Sequence, residues 1–135
     1  MSSTAQAALI HTMVLVSASD GNMTDSELAT IGDIVRMLPV FSGFDDTQLS
    51  EVASQCVATL QNEDGLDLAL TAIREALPDY LRETAYAVAC DVAAADGEAS
   101  QEELRLLELL RHRIGVDRLA AAAIERGARA RHMTL

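Results

Sequence analysis

The fold is decided by a stretch that occurs twice, as AADGEASQEEL at Ala94–Leu104 and as ASDGNMTDSEL at Ala18–Leu28. The two copies align without a gap and share an Asp-Gly pair, a hydroxyl residue, a glutamate and a leucine. An Asp-Gly pair ends a helix well, because glycine readily takes the left-handed backbone that follows the last turn. A hydroxyl residue followed three positions later by Glu begins a helix as a capping box. Each copy therefore predicts two helices joined by a tight corner, within an internal repeat at residues 9–38 and 85–114.

Outward from these corners, turn residues and apolar periodicity predict about seven short helices in a single domain, residues 1–135. The composition agrees, since 50% of the residues are hydrophobic but only 3% are aromatic, whereas sheets favour aromatic and β-branched residues. No segment is long enough to serve as a linker between two domains. The predicted fold class is all-α. The helices are expected at about residues 4–19, 25–38, 46–60, 64–77, 78–95, 101–113 and 118–131.

Apolar side chains at helical spacing predict the core. The fourth helix is expected to bury a stripe of Leu66, Leu70, Ile73 and Leu77, and the sixth a seam of Leu104, Leu107 and Leu110. Methionine is a flexible filler of core gaps, which is the expectation for Met13, Met23 and Met37. The two cysteines, Cys56 and Cys90, have no neighbours at zinc-ligand spacing, so we expect them in the core as well.

The charge is unevenly placed along the chain. The net charge is -11, with 18 acids and 3 Arg in residues 1–104 but 3 acids and 7 Arg in residues 105–135, and Lys is absent. An acidic body repels phosphate backbones and anionic lipid, so the composition argues against nucleic-acid and membrane-surface binding. The basic end could pair with an acidic partner or with the protein's own acidic face, although a solvated final helix is the favoured interpretation.

The two corners allow a structural and a functional interpretation. In the structural one, Glu27 and Glu103 complete capping boxes, while Asp20 and Asp96 accept hydrogen bonds from backbone amides of their own turns. An exposed Asp at a helix C-terminus nevertheless costs roughly 0.3–1 kcal/mol, because the helix dipole is negative there. Since this cost occurs twice, a compensating cation is expected nearby.

In the functional interpretation the two corners face one cleft and bring together Asp20, Glu27, Asp96 and Glu103. Carboxylate oxygens without His or thiolate suit a hard divalent cation such as Ca²⁺, Mg²⁺ or Mn²⁺. The Asp-to-Glu spacing is shorter than in an EF-hand loop, so a site here would be built differently. It would also be less acidic on one side, where Asn22 stands in place of Glu98.

These same residues carry a family resemblance. A helix that ends in Ala-x-Ala-Asp-Gly, followed by a capped helix with Glu and Leu, resembles the TerB and TerB-like domains of bacterial stress-response systems, most closely at Arg82–Leu110. The resemblance implies an all-α fold of about seven helices and divalent metal bound by the acidic residues that flank the Asp-Gly turns. It adds Asp91, on the inner side of the fifth helix, as a further candidate ligand. It also implies a role in tellurite resistance or other stress responses, with protein partners that are sometimes membrane-bound.

Three functional classes can be compared on this basis. A TerB-like module that binds a divalent cation is favoured, and the alternative is a metal-independent acidic scaffold that docks a basic partner protein. An enzyme is disfavoured, because the sequence contains no nucleophile elbow, phosphate loop or dinucleotide fingerprint. No signal peptide and no apolar run of about 20 residues is found, so the protein is expected in the cytoplasm without membrane insertion.

Overall fold

The computed structural model describes residues 4–19, 23–95, 97 and 99–135. Over these ranges the chain forms seven α-helices, three short 3-10 segments and no strand, which confirms the all-α fold class. The α-helices are α1 (Thr4–Ser17), α2 (Asp25–Met37), α3 (Leu49–Leu60), α4 (Gly65–Ala76), α5 (Arg82–Ala95), α6 (Gln101–Ile114) and α7 (Arg118–Arg131). The 3-10 segments are Pro39–Phe41, Asp46–Gln48 and Asp79–Leu81.

The centre of the fold is the packed pair α1 and α5. Apolar side chains cover every face of α1, and Leu9, Ile10 and Met13 are fully buried. A helix that is apolar all round must be enclosed by others, and α1 contacts α2, α3, α4, α5 and α6. Helix α5 in turn packs on α7. Each fully buried Leu, Ile or Met contributes about 1.5–3 kcal/mol to stability, so α1 is the main apolar anchor of the fold.

The connection after α2 folds back onto this core through its two phenylalanines. Phe41 is buried and meets Phe44 edge-to-face, with ring centroids 6.4 Å apart. The Gln6 side chain of α1 donates hydrogen bonds to the backbone carbonyls of Val40 and Ser42, each at 3.2 Å. The loop is therefore tied to the start of the central helix by both apolar and polar contacts.

The turn between α3 and α4 brings two backbones unusually close together. A Cβ atom at Gly65 would lie 2.3 Å from the carbonyl oxygen of Thr59 and 2.7 Å from the Cα of Leu60. The Gly65 amide donates to the carbonyl of Asn62 at 3.0 Å. Glycine is required here because α4 begins directly against the last turn of α3.

The predicted core is confirmed in most places and wrong in three. Cys56, Cys90, Leu70, Ile73, Leu77, Leu107, Leu110 and Met13 are buried, and Met23 packs against the core. By contrast, Met37 is 75% exposed, Leu104 49% and Leu66 37%. Met37 is the last residue of α2, beyond its buried face, and the inward faces of the other two helices centre on neighbouring positions. On α6 that face runs through Glu103, Leu106, Leu107, Leu110 and Ile114; on α4 it runs through Ala69, Leu70 and Ile73.

Candidate functional site

The second helix of each corner begins with a complete capping box. At the first corner, Thr24 accepts from the Glu27 amide at 3.1 Å, and Glu27 accepts from the Thr24 amide at 2.8 Å. At the second, Ser100 accepts from the Glu103 amide at 3.1 Å, and Glu103 accepts from the Ser100 amide at 2.9 Å. The predicted caps are confirmed, and each glutamate uses one carboxylate oxygen, Oε1, to hold its own turn.

The glycine of the second corner has the predicted left-handed backbone. Gly97 has φ +94°, and its amide donates to the carbonyl of Ala94 at 3.1 Å. This closes the end of α5 and turns the chain toward α6. The two aspartates that precede the corner glycines, Asp20 and Asp96, lie outside the described residues, so their place in a site remains a prediction.

A cleft of about 390 Å³ lies between the end of α1 and the start of α6, and we call it the corner cleft. The second corner itself, at Ala94, Gly97 and Ala99, lines a different cleft. Ala18 and Ser19, which directly precede Asp20, contribute to the lining of the corner cleft. So does Glu102, in the first turn of α6 after the second corner. The remaining lining is mostly apolar, but it also includes the cationic residue Arg105. Leu66 belongs to the apolar part, and this opening explains its exposure. The end of α1 and the start of α6 therefore meet at one face of the molecule.

The carboxylates near the two corners differ in what they are free to bind. Glu103 is buried, with 9% of its surface exposed, and Glu27 is half-buried; both act as caps. Asp25 and Glu102 are exposed and form no ion pair within the described residues. Among those residues no three His, Cys, Asp or Glu side chains are grouped closely enough to hold a metal ion. A complete cation site at the corners would thus require Asp20 or Asp96.

Asp91 is engaged in a different way from the corner acids. Its carboxylate accepts a hydrogen bond from Arg131 at 2.7 Å and lies 3.6 Å from the Nε2 atom of His132, both at the end of α7. The side chain of Asp91 is 19% exposed. A cationic partner from the protein's own basic end therefore already balances its charge.

The family can now be assigned. A family model described as Tellurite resistance protein TerB matches residues 6–126, nearly the whole chain. The chain belongs to the TerB family. Comparisons with curated proteins and with solved structures found no match. The resemblance predicted from the corner motifs is thereby confirmed, and the chain is a TerB module of the kind associated with tellurite resistance.

This TerB module has a second cleft, of about 490 Å³, between α5, α6 and α7. We call it the α7 cleft. Its floor includes Cys90, and exposed Leu104 lines its side. The buried Tyr86 hydroxyl donates there to the carboxylate of Glu125 on α7. Burial, with this hydrogen bond second in effect, raises the pKa of Tyr86 well above its ordinary value, so the phenol is a fixed proton donor.

Both thiols of the TerB chain are inert for the same reason. Burial raises the pKa of Cys56 to about 11 and that of Cys90 to about 12. A thiol must lose its proton to act as a nucleophile or metal ligand, so neither cysteine supplies such a group at neutral pH. No helix in the described ranges is long and apolar enough to cross a lipid bilayer.

Sequence reasoning missed two features of these clefts. The pairing of Tyr86 with Glu125 joins residues 39 positions apart, and no local pattern marks it. The role of Glu102 in the corner cleft depends on how α1 meets α6 in space. The available signal for Glu102 is an acidic residue close to the second corner. The repeat instead favours Glu27 and Glu103 as ligands, and in the structure these two glutamates serve as caps.

Proposed function

We propose that this TerB module binds a divalent cation at its two corners and acts as a binding module rather than an enzyme. The observation that carries the proposal is that Ser19, the neighbour of Asp20, lines the same cleft as Glu102. The carboxylates proposed for this cleft, Asp20 and Glu102, would outnumber Arg105, the one cation of its described lining, and would so favour a bound cation. Oxygen donors without imidazole or thiolate favour Ca²⁺, Mg²⁺ or Mn²⁺ over softer metals.

The proposed ligands are Asp20, Asp96 and Glu102. Glu27 and Glu103 contribute secondarily through Oε2, since Oε1 of each accepts a hydrogen bond within its cap. Asp91 is left out of this set, because Arg131 already pairs with it. A cation held by both corners would fix the end of α1 to the start of α6. Partner proteins of a stress-resistance system would then recognise this face differently with and without the bound cation.

The test is a titration of the metal-free protein with Ca²⁺, Mg²⁺, Mn²⁺ and Zn²⁺, followed by amide NMR shifts and melting temperature. We expect saturable shifts centred on residues 18–27 and 94–103, with a melting temperature that rises with free metal concentration. Asp96→Asn should weaken binding by about tenfold or more, because it removes a proposed carboxylate ligand. Glu102→Gln should weaken binding in the same direction.

The matched control is Glu63→Gln, which removes an exposed carboxylate from the turn between α3 and α4, outside the corner cleft. It should leave the metal affinity unchanged. If saturating metal moves no amide at either corner, the cation proposal is wrong. The acidic scaffold that docks a basic protein would then be favoured, and its binding should weaken steeply with salt.

A further inference from the structure

A recess lined mainly by arginines lies at the ends of α5 and α6 that are opposite to the corners. Thr71, Arg74 and Glu75 of α4, Arg82 at the start of α5 and Arg113 near the end of α6 line a pocket of about 450 Å³. We call it the arginine pocket. Residues 1–104 contain only three arginines, and two of them, Arg74 and Arg82, converge here.

We propose that the arginine pocket binds a small tetrahedral dianion, either inorganic phosphate or a phosphate monoester. Three arginines from three different helices line the pocket. A planar carboxylate offers only two oxygens, whereas a tetrahedral oxyanion can accept from donors that approach in several directions. Arginine suits this role because its donors form a rigid fork that matches phosphate oxygens.

Two of the three guanidinium groups are already held in place. Arg113 donates to the hydroxyl of Thr71 at 3.1 Å and to Asp67 at 2.7 Å, and Arg82 pairs with Asp79 at 3.1 Å. The side chains of both arginines are only 31% exposed. Because packing leaves these two side chains only partly exposed, they lose less entropy on binding than fully exposed arginines would.

The charges of these arginines are only weakly compensated. The side chain of Asp79 is 92% exposed and that of Asp67 is 69% exposed, and such exposed ion pairs contribute little and are easily exchanged. Arg74 forms no ion pair within the described ranges. The Nε–H group of Arg82 is buried without an acceptor. An anion with several oxygens would offer these donors better partners than the present ones.

The fold supplies a structural explanation that the test must exclude. Arg74 and Arg113 lie in the last turns of α4 and α6, where the negative end of the helix dipole attracts cations even without a ligand. The helix dipoles alone do not explain why the arginines line the same pocket, and they predict no saturable anion binding. A direct titration therefore separates the two accounts.

The experiment is a titration with inorganic phosphate at constant ionic strength, with chloride as the balancing anion, followed by amide NMR and calorimetry. We expect saturable shifts at residues 71–76, 79–83 and 113–115. Arg74→Gln should weaken phosphate binding roughly tenfold, since it removes a charge-assisted hydrogen bond. Arg74 is exposed and unpaired within the described ranges, so this variant should fold normally.

Two further variants make the result decisive. Glu75→Gln should tighten binding about two- to fivefold, because it removes the one carboxylate of the lining. Arg118→Gln removes an exposed arginine of α7 outside the pocket and should leave phosphate affinity unchanged. Methyl phosphate in place of phosphate tests whether a phosphorylated small molecule fits as well. Absent or unsaturable shifts, or equal effects of Arg74→Gln and Arg118→Gln, would overturn the proposal.

Discussion

The hydroxyl of Tyr86, buried in α5, donates its proton to the carboxylate of Glu125 on α7. Because this bond joins two helices at a cleft that water can enter, each single change should remove one hydrogen bond and little more. Glu125→Ala and Tyr86→Phe should each cost about 1 kcal/mol of unfolding free energy. Urea denaturation measures both.

The double variant of Tyr86 and Glu125 provides the control for this pair. Once the hydroxyl is gone, removing the carboxylate should add little, so the double variant should be close to Tyr86→Phe. Strictly additive costs would show that the two side chains do not interact.

His11 should make the protein less stable in mild acid. Burial lowers the pKa of His11 below 6.5, a hydrogen bond with the backbone of Val52 opposes this only in part, and Nε2 is buried without a partner. The unfolded state therefore binds a proton more readily than the folded state. The contribution of His11 to the free energy of unfolding is therefore fully present above pH 6.5. It decreases as the pH falls toward the pKa of the folded state, by at most about 1.4 kcal/mol per pH unit.

The measurement is the unfolding free energy of the parent protein and of His11→Gln between about pH 7.5 and about pH 5, an interval that spans the ordinary pKa of histidine. The difference between the two should shrink or reverse in acid, since only the parent protein carries the titrating group. Parallel curves for the parent protein and His11→Gln would contradict the assignment.

Gly65 should be among the least replaceable residues of the chain. The Cβ of Gly65→Ala would collide with the backbone at Thr59 and Leu60, which cannot give way as a side chain can. We expect a loss of about 2–3 kcal/mol or more. In Gly127→Ala, on α7, the nearest atom is a guanidinium nitrogen of Arg131 at 3.3 Å. That flexible end can move, so this variant should be neutral or more stable by up to about 1 kcal/mol.

The two caps should contribute similar amounts to stability. Thr24→Ala and Ser100→Ala each remove a side-chain acceptor from a first-turn amide and should each cost about 1 kcal/mol in thermal or urea unfolding. Thr30→Ala, in the middle of α2, should be neutral or slightly stabilising, because its hydroxyl bonds back to the helix and caps nothing. A cost at Thr30 as large as at Thr24 would argue against the capping account.

The predictable part of this fold is the part that is local in sequence. The capping boxes at Thr24 and Ser100, the turn at Gly97 and the helix ends follow from interactions among residues a few positions apart. Seven helices could therefore be predicted within one or two residues at most ends. Where the prediction of α5 differed, Pro78 precedes a 3-10 turn instead of opening the α-helix.

The less predictable part depends on which elements meet. Periodicity alone could not show that Leu66 and Leu104 border clefts, since each lies beside the buried face of its own helix. The arginine pocket draws residues from α4, α5 and α6, and no sequence window contains all three arginines. The sequence predicts one group of corner acids. In the structure, Glu27 and Glu103 cap their helices, whereas Glu102 lines the corner cleft.

The burial of the two thiols has a practical consequence. Cys56 lies on α3 and Cys90 on α5, and both are protonated and shielded in the folded chain. An alkylating reagent can modify Cys56 only when α3 opens, whereas it meets Cys90 at the floor of the α7 cleft. The alkylation rate of Cys56 therefore measures how often α3 opens, and that of Cys90 measures access through the α7 cleft. The protein can thus report its internal motion at two places without any engineered label.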